Sequence, residues 1–190
     1  MQKKLIKPFR PVYPSPAGLV TSISPTGQPN IITLGEIFNI SIASPVILGI
    51  AIHKQRYSHS LISATREYVV NCPTASMVKT VDLVGSISGR SVDKFTAFKL
   101  TPVPADKVKP PLIAECPMNM ECRVIGIQEI GDHDLFLGEV VAVHILEEAL
   151  DEQERVIVEK LEPLCYLHSE YWSLGTRLGQ HGFSRREDPQ

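Results

Sequence analysis

The stretch that decides the fold runs from Gly131 to Val140 and has the sequence GDHDLFLGEV. Gly131 and Asp132 are typical of a tight hairpin turn, because both residue types tolerate left-handed backbone angles. The turn separates two long apolar segments, Asn119–Ile130 and Asp134–Leu146. These segments are predicted to pair as antiparallel strands of one hairpin.

The second strand of this hairpin is apolar on both of its faces. Side chains alternate between the two faces of a strand. One face is therefore expected to carry Leu135, Leu137, Val141 and Val143, and the other Phe136, Val140 and Ala142. Both faces need cover, and a subunit interface would cover one of them.

The rest of the chain shows further short strands with short helices between them. Apolar runs and turn signals predict strands at 17–23, 30–34, 46–52 and 67–71, and helices at 56–64, 76–86 and 91–98. Ser58 is expected to cap the first helix and Ser91 to open the last. This order is mainly β, and it favours a closed antiparallel barrel over a doubly wound parallel sheet. A single domain over residues 1–190 is expected.

Composition excludes several classes of function. The 190 residues are 43% hydrophobic and 21% charged, with 19 basic against 21 acidic side chains, which argues against nucleic acid as a partner. The sequence lacks a membrane-spanning run and a signal peptide, so no membrane partner and a cytoplasmic location are predicted. The four cysteines form no C-x-x-C pair, and we interpret them as buried small hydrophobes with no metal site.

Two basic segments carry hydroxyl groups where a strand or loop is expected to enter a helix. They are HKQRYS at 53–58 and SGRSVDKF at 88–95. A helix start offers unpaired N–H groups and a positive dipole end, so Arg, Lys and Ser there suit a phosphate. The alternative is that Arg56 and Arg90 are solvated surface charges and that Lys94 only supports its helix.

Four segments together resemble the flavin reductase-like family, in a layout similar to the flavoredoxins. They are the first hairpin, from Pro16 through Thr33, the basic segments at 53–62 and 88–95, and the GDH hairpin at 131–140. The resemblance covers about residues 10–150 and leaves 151–190 as a C-terminal extension. It implies an antiparallel Greek-key FMN-binding split barrel, mainly β with short helices.

The resemblance also implies a homodimer with FMN at the subunit interface. Thr33, Leu34 and Gly35 would meet the flavin ring through backbone groups. The phosphate would be held by Lys54, Arg56, Ser58, Ser88, Gly89, Arg90 and Lys94. His133 would contact the nicotinamide of a substrate. Glu36 departs from the family pattern, and its role is open.

Two functions follow from this resemblance. In the first, the chain is an NAD(P)H-dependent flavin reductase, with NADH or NADPH bound on top of the flavin because no G-x-G-x-x-G module is present. In the second, it is an FMN electron-transfer protein that does not use nicotinamide directly. A haem-binding variant ranks last. The electron acceptor is either a small molecule or a protein.

Neither function needs a catalytic side chain, because the flavin itself carries the hydride and electron steps. Near the C-terminus, His168 and the aromatic side chains Tyr166, Tyr171 and Trp172 are expected mainly to pack in the core. Covering the flavin or the dimer seam is the alternative role for this cluster.

Overall fold

The computed structural model describes residues 1–10 and 12–185. The strands are β1 Ser15–Pro16, β2 Gly18–Ile23, β3 Pro29–Leu34, β4 Ile37–Ser41, β5 Ile47–His53, β6 Glu67–Cys72, β7 Pro102–Val103, β8 Leu112–Ile113, β9 Met118–Ile130, β10 His133–Ile145, β11 Leu164–Leu167 and β12 Glu170–Ser173. The helices are α1 Tyr57–Thr65, α2 Val78–Ser86, α3 Lys94–Phe98 and α4 Val158–Leu161. Short 3-10 turns lie at Ala75–Met77, Glu147–Ala149 and Phe183–Arg185.

The long hairpin predicted from the GDH stretch is confirmed as β9 and β10. Gly131 sits in the turn with φ of 58°, a left-handed angle that glycine adopts without a Cβ penalty. His133 is the first residue of β10 and pairs with Ile130 on one side and with His53 on the other. The hairpin therefore sets His133 beside the end of β5.

Seven strands form one antiparallel sheet in the order β3-β2-β6-β9-β10-β5-β4. Side chains from nearly its whole width meet in a single core, which means that the sheet rolls up on itself into a barrel. This barrel core comprises Val20, Ile32, Leu34, Leu48, Ile50, Ile52, Ile62, Tyr68, Val70, Cys122, Val124 and Phe136. The mainly β, split-barrel prediction is confirmed.

The predicted alternation along β10 holds only up to a register shift. Phe136 is fully buried in the barrel core, and Leu135 lies half-buried on the opposite, outer face. Between Val140 and Ala142 the pairing with β9 shifts, so that Val143 faces Met120, a side chain that packs against the barrel core. The prediction that Val143 shares the face of Leu135 is wrong, because one extra residue at a bulge reverses the alternation that follows it.

Two predicted helix starts are corrected by the structure. Arg56, not Ser58, is the N-cap residue of α1, and the Ser58 hydroxyl instead accepts a hydrogen bond from the Asn30 amide at 2.8 Å. The helix expected from Ser91 begins only at Lys94, because the Asp93 carboxylate caps it by accepting from two backbone N–H groups. Both segments still lead into helices, α1 and α3.

A second core lies outside the barrel, between β3, α2, α3 and the C-terminal strands. Val81 and Val84 of α2 pack there with Ile31, Phe95 and Leu164. Strands β11 and β12 form a small sheet with β1, so that Tyr166 pairs with Ser15. In the described part of the chain, no helix is both long and apolar enough to cross a membrane.

The four cysteines are free thiols, and three of them are buried. Burial raises the pKa of Cys72 to about 11 and that of Cys122 to about 12, so both are protonated at neutral pH. A protonated, enclosed thiol is a poor nucleophile. The structure supports their interpretation as small hydrophobic side chains.

Candidate functional site

The two basic segments meet around one small cavity of about 200 Å³. The turn between β5 and α1 forms one wall, and the loop between α2 and α3 forms the other. Its lining includes Asn30, Gln55, Arg56, Tyr57, Ser58, Ser88, Gly89, Arg90 and Lys94. We call this space the anion cavity. Segments separated by about 35 residues in the sequence therefore contribute to one site, as their chemistry suggested.

Direct contacts hold the two walls of the anion cavity together. Arg90 donates a hydrogen bond from Nη1 to the backbone oxygen of Gln55 at 3.4 Å, and its guanidinium lies 5.0 Å from the centre of the Tyr57 ring. Asn30 ties β3 to α1 through Ser58. A Cβ added to Gly89 would collide with the Asn30 side chain, so only glycine allows the loop to approach β3 this closely.

Arg56 is the side chain that joins the anion cavity to the space beside it. It lines this cavity and two adjoining ones of about 280 and 540 Å³. Within residues 1–10 and 12–185 its guanidinium has neither a hydrogen bond nor an ion pair. An arginine with all its donors free, at the wall of a cavity, is well suited to bind an anion through charge-assisted hydrogen bonds.

Lys94, the first residue of α3, lines the anion cavity and is almost fully buried. Its ammonium donates to the backbone oxygens of Ile31 at 2.8 Å and Val84 at 2.7 Å. Burial, with a smaller contribution from the nearby positive charge of Arg56, lowers the pKa of Lys94 to about 8. Two of its three N–H donors are engaged, which leaves one for a ligand. Lys94 therefore supports its surroundings and also lines the site.

Lys54 does not line any of these cavities. Its ammonium lies 3.3 Å from carboxylate oxygens of both Asp134 and Glu129, on β10 and β9. The structure thus does not bring Lys54 to the other predicted phosphate residues. The physical reason is tertiary, because these two carboxylates on the long hairpin attract the ammonium of Lys54 away from the anion cavity.

Thr33, Leu34 and Gly35 line the cavity of about 280 Å³, and the first two also line that of about 540 Å³. We call these two adjoining spaces the ring cavity. The Thr33 hydroxyl donates to the backbone oxygen of Val81 at 2.6 Å, so its oxygen is left only as an acceptor. The predicted ring-binding residues thus lie beside the anion cavity, joined to it by Arg56.

Glu36 also lines both parts of the ring cavity, and its partner is Arg10. The Arg10 guanidinium lies 5.4 Å from the centre of the Tyr166 ring, an arrangement that favours a cation–π contact. The carboxylate that departs from the family pattern is therefore neutralised by a side chain from the N-terminal segment. This pairing could not be found from the sequence, since 26 residues separate the partners.

The C-terminal aromatic residues divide between two roles. Tyr166 and Tyr171 pack against the second core and also line the ring cavity. The Trp172 side chain is exposed. Nδ1 of His168 and the Tyr13 hydroxyl are 3.1 Å apart and share a hydrogen bond outside the ring cavity. The expectation of core packing fits the two tyrosines, although they also reach the site.

His133 lies at the far wall of the ring cavity, and His53 lies beside it. The two imidazole centres are 5.3 Å apart, with their planes at 89°. The sequence singled out His133 but not His53, Arg10 or Asn30. A signal for His53 was present, since it begins the first basic segment, but only strand pairing places it opposite His133.

These residues fit a flavin mononucleotide in their chemistry. A monophosphate needs several positive or N–H donors in a small space. The anion cavity supplies an arginine that has no partner among the described residues, a buried ammonium and hydroxyl groups. A planar ring system needs a longer space, and the ring cavity next to it has backbone groups and aromatic side chains, with the charges of Arg10 and Glu36 paired to each other. Arg56 lies where the two parts would join.

The chain is similar to known proteins over most of its length. The chain is similar to the flavoredoxin of Desulfovibrio vulgaris (Miyazaki F), with a TM-score of 0.89 and 26% identity over 98% of this chain and 100% of that one. It is also similar to flavoredoxin from Methanosarcina acetivorans, with a TM-score of 0.88 and 30% identity over 97% of each chain. An NADH-dependent FAD reductase of Streptomyces globisporus is 27% identical over 66% of this chain and 68% of its own length.

The flavin reductase like domain matches residues 10–175, which include every strand of the barrel and both basic segments. The chain belongs to the flavin reductase-like family.

Proposed function

We propose that this protein is an FMN-binding oxidoreductase that transfers hydride from NADH or NADPH to its flavin. The observation that carries the proposal is Arg56, a guanidinium without a protein partner among the described residues, at the junction of the anion cavity and the ring cavity. FMN rather than FAD is proposed because the anion cavity is small, about 200 Å³, and suits a terminal monophosphate.

In this proposal the side chains bind and orient, and the flavin supplies the redox chemistry when it is bound. Arg56, Arg90 and the hydroxyls of Ser58 and Ser88 hold the phosphate. The strand end at Thr33–Gly35 presents backbone groups to the ring. His133 contacts the second substrate from the opposite wall. Placing two reactants in contact contributes to the rate by orientation, so no general acid or base is required.

The second candidate function is FMN-dependent electron transfer without direct use of nicotinamide. Similarity over nearly the full chain to two flavoredoxins favours it. The histidine pair at the ring cavity favours the reductase, because an electron carrier needs no polar side chains at that wall. Similarity to an NADH-dependent FAD reductase also supports the first function.

A single anaerobic experiment separates these functions. The purified protein is expected to be yellow, to release FMN on denaturation, and to lose its flavin absorbance when NADH or NADPH is added. Bleaching by dithionite but by neither nucleotide would establish the electron carrier instead. A colourless protein that does not bind added FMN would contradict both functions.

A homodimer with the flavin at its interface is part of the proposal. His133, Leu135 and Leu137 point to the same side of β10, and their partners on β5 include His53 and Ala51. That outer face continues into β4, where Phe38 and Ile40 are 42% and 50% exposed. An exposed apolar face that begins at the ring cavity supports a second subunit there. The cytoplasmic location and the electron acceptor remain predictions.

A further inference from the structure

The histidine pair at the wall of the ring cavity is chemically asymmetric. His53 and His133 are direct cross-strand partners in β5 and β10, and both line the cavity of about 540 Å³. Each ring uses its Nδ1 in a hydrogen bond within the protein. Among the described residues neither Nε2 has a partner, so Nε2 is the nitrogen that each ring can offer to a ligand.

The hydrogen bond at His53 determines where its proton lies. The backbone N–H of Gln55 donates to Nδ1 of His53 at 3.2 Å. A ring nitrogen that accepts a hydrogen bond carries no proton, so the neutral imidazole must carry its proton on Nε2. His53 therefore presents a hydrogen-bond donor at its free nitrogen.

His133 has the opposite arrangement. Its Nδ1 lies 2.8 Å from Oδ1 of Asp132. The hydrogen bond from His133 helps to hold the pKa of Asp132 below its ordinary value, so this carboxylate is charged and can only accept. Nδ1 of His133 must then carry the proton, and Nε2 of the neutral ring is an acceptor.

We propose that His53 and His133 act as a matched donor and acceptor that recognise a primary carboxamide, the group carried by the nicotinamide ring of NADH and NADPH. The inference rests on the proposed reductase function. The His53 Nε2–H would donate to the amide oxygen, and the His133 Nε2 would accept from the amide nitrogen. His53 becomes a specificity-determining residue that the sequence did not identify.

The other polar side chains that line the cavity of about 540 Å³ belong to Thr33, Glu36, Gln55 and Arg56. Glu36 is paired with Arg10, and the Thr33 hydroxyl already donates its hydrogen bond to the backbone oxygen of Val81. Arg56 carries a full charge, and both Arg56 and Gln55 lie at the junction, where they also line the anion cavity. A carboxylate in place of the amide would have no proton to donate, so the lone pair of His133 would reject it.

The test measures binding, separately from turnover. Titration calorimetry on the oxidised, FMN-loaded protein compares NAD⁺ and NADP⁺ with their nicotinic acid analogues, in which a carboxylate replaces the carboxamide. The variants are His53→Phe and His133→Phe, which keep a flat ring but lack its nitrogens. His181→Phe is the matched control, because His181 is exposed and lines none of these cavities.

The wild type is expected to bind the preferred carboxamide nucleotide about 10-fold or more tightly than its acid analogue. Each Phe variant should lose about 3- to 10-fold in that affinity, the effect of one neutral hydrogen bond, without a change in FMN affinity. His133→Phe should also abolish the discrimination against the acid. His53→Gln should recover part of the loss, since its amide restores a donor.

Equal affinity of the wild type for amide and acid would overturn the inference, as would unchanged nucleotide affinity in both Phe variants. In either case bleaching of the flavin by NADH or NADPH would show that the proposed reductase function still stands. No binding of any nucleotide, together with bleaching by dithionite alone, would overturn the inference and the reductase function together.

Discussion

At the scale of single residues, the anion cavity depends on charges that differ in how they are held. Arg56 has no partner in residues 1–10 and 12–185, Arg90 contacts Gln55 and Tyr57, and Lys94 is buried with two backbone partners. A ligand phosphate would gain most from the group that gives up no protein contact. Arg56 should therefore contribute more to phosphate binding than Lys94 does.

Arg56→Ala is expected to weaken FMN binding by about 1.5 to 3 kcal/mol, or roughly 10- to 150-fold in Kd, because a charge-assisted hydrogen bond is lost. Fluorescence titration of the FMN-free protein measures this change. Lys54→Ala is the comparison, since its ammonium pairs with Asp134 and Glu129 away from the cavity. An equal loss of affinity in both variants would contradict the placement of the phosphate.

Lys94→Met is expected to lower the free energy of unfolding by about 1 to 3 kcal/mol, because two buried carbonyls lose their donor. Its effect on FMN affinity should be smaller than that of Arg56→Ala. The lowered pKa has a further consequence, because the unfolded chain binds this proton more tightly than the folded protein. Lys94 should therefore make stability rise with pH between about 8 and the ordinary value of 10.5.

Urea denaturation at pH 7.5 and pH 10 measures that pH dependence. The contribution from Lys94 should be present in the wild type and absent in Lys94→Met, so the stabilities of the two proteins should diverge as the pH increases. The same difference between them at both pH values would mean that Lys94 titrates normally.

At the scale of elements, the loop between α2 and α3 approaches β3 only because Gly89 has no side chain. Gly89→Ala should push the loop away from Asn30 and weaken FMN binding together with thermal stability. Gly175→Ala is the matched control, because nothing lies near the position of its Cβ. FMN affinity and Tm are measured for both variants. A Gly89→Ala protein with wild-type FMN affinity would show that this close approach is not needed for binding.

The loop between β7 and β8 is held by one buried carboxylate. Glu121 on β9 is fully enclosed and accepts from the backbone N–H groups of Asp106, Lys107 and Val108 and from His144. The potential ligand atoms of Asp106, Glu121 and His144 lie within 4.8 Å of one another, a spacing compatible with a bound cation. The Glu121 oxygens, however, already accept four hydrogen bonds. These bonds explain why the three side chains lie together, because they anchor the loop before β8.

Burial opposes the charge of Glu121, but these hydrogen bonds outweigh it and lower its pKa below the ordinary value of 4.5. Because the folded pKa is depressed, the stabilisation is fully present above pH 4.5 and is lost as the pH falls below it. Glu121→Gln should remove this part of the acid sensitivity while lowering Tm at pH 7. Thermal melts between pH 7 and pH 3 test this. Parallel loss of Tm in both proteins would contradict it.

At the scale of the whole molecule, the exposed outer face of β4, β5 and β10 predicts the quaternary structure. Light scattering should give about twice the chain mass of 21.0 kDa, since two-fold dimers are the commonest symmetric solution. Ile40→Lys, on this face, should favour the monomer and reduce FMN retention. Leu178→Lys, which is 93% exposed elsewhere, should leave the mass unchanged. A flavin-bound monomer in the wild type would be incompatible with a shared site.

The sequence by itself determined the barrel and the two halves of the anion cavity. Strand periodicity, the Gly131 turn and the basic residues at strand ends are local signals, since each depends on neighbours within a few positions. For this reason the long hairpin and the segments at 53–58 and 88–95 could be identified without coordinates. Their assignment to one site followed from shared chemistry and was supported by the family pattern.

Only the tertiary structure decided which of these residues face the cavities. A bulge moved Val143 to the other face, ion pairs turned Lys54 towards Asp134, and strand register set His53 opposite His133. Arg10 reached Glu36 in the same way. Such outcomes depend on contacts between residues far apart in the chain, and a shift of one position reverses the direction of a side chain. Local sequence carries no information about that choice.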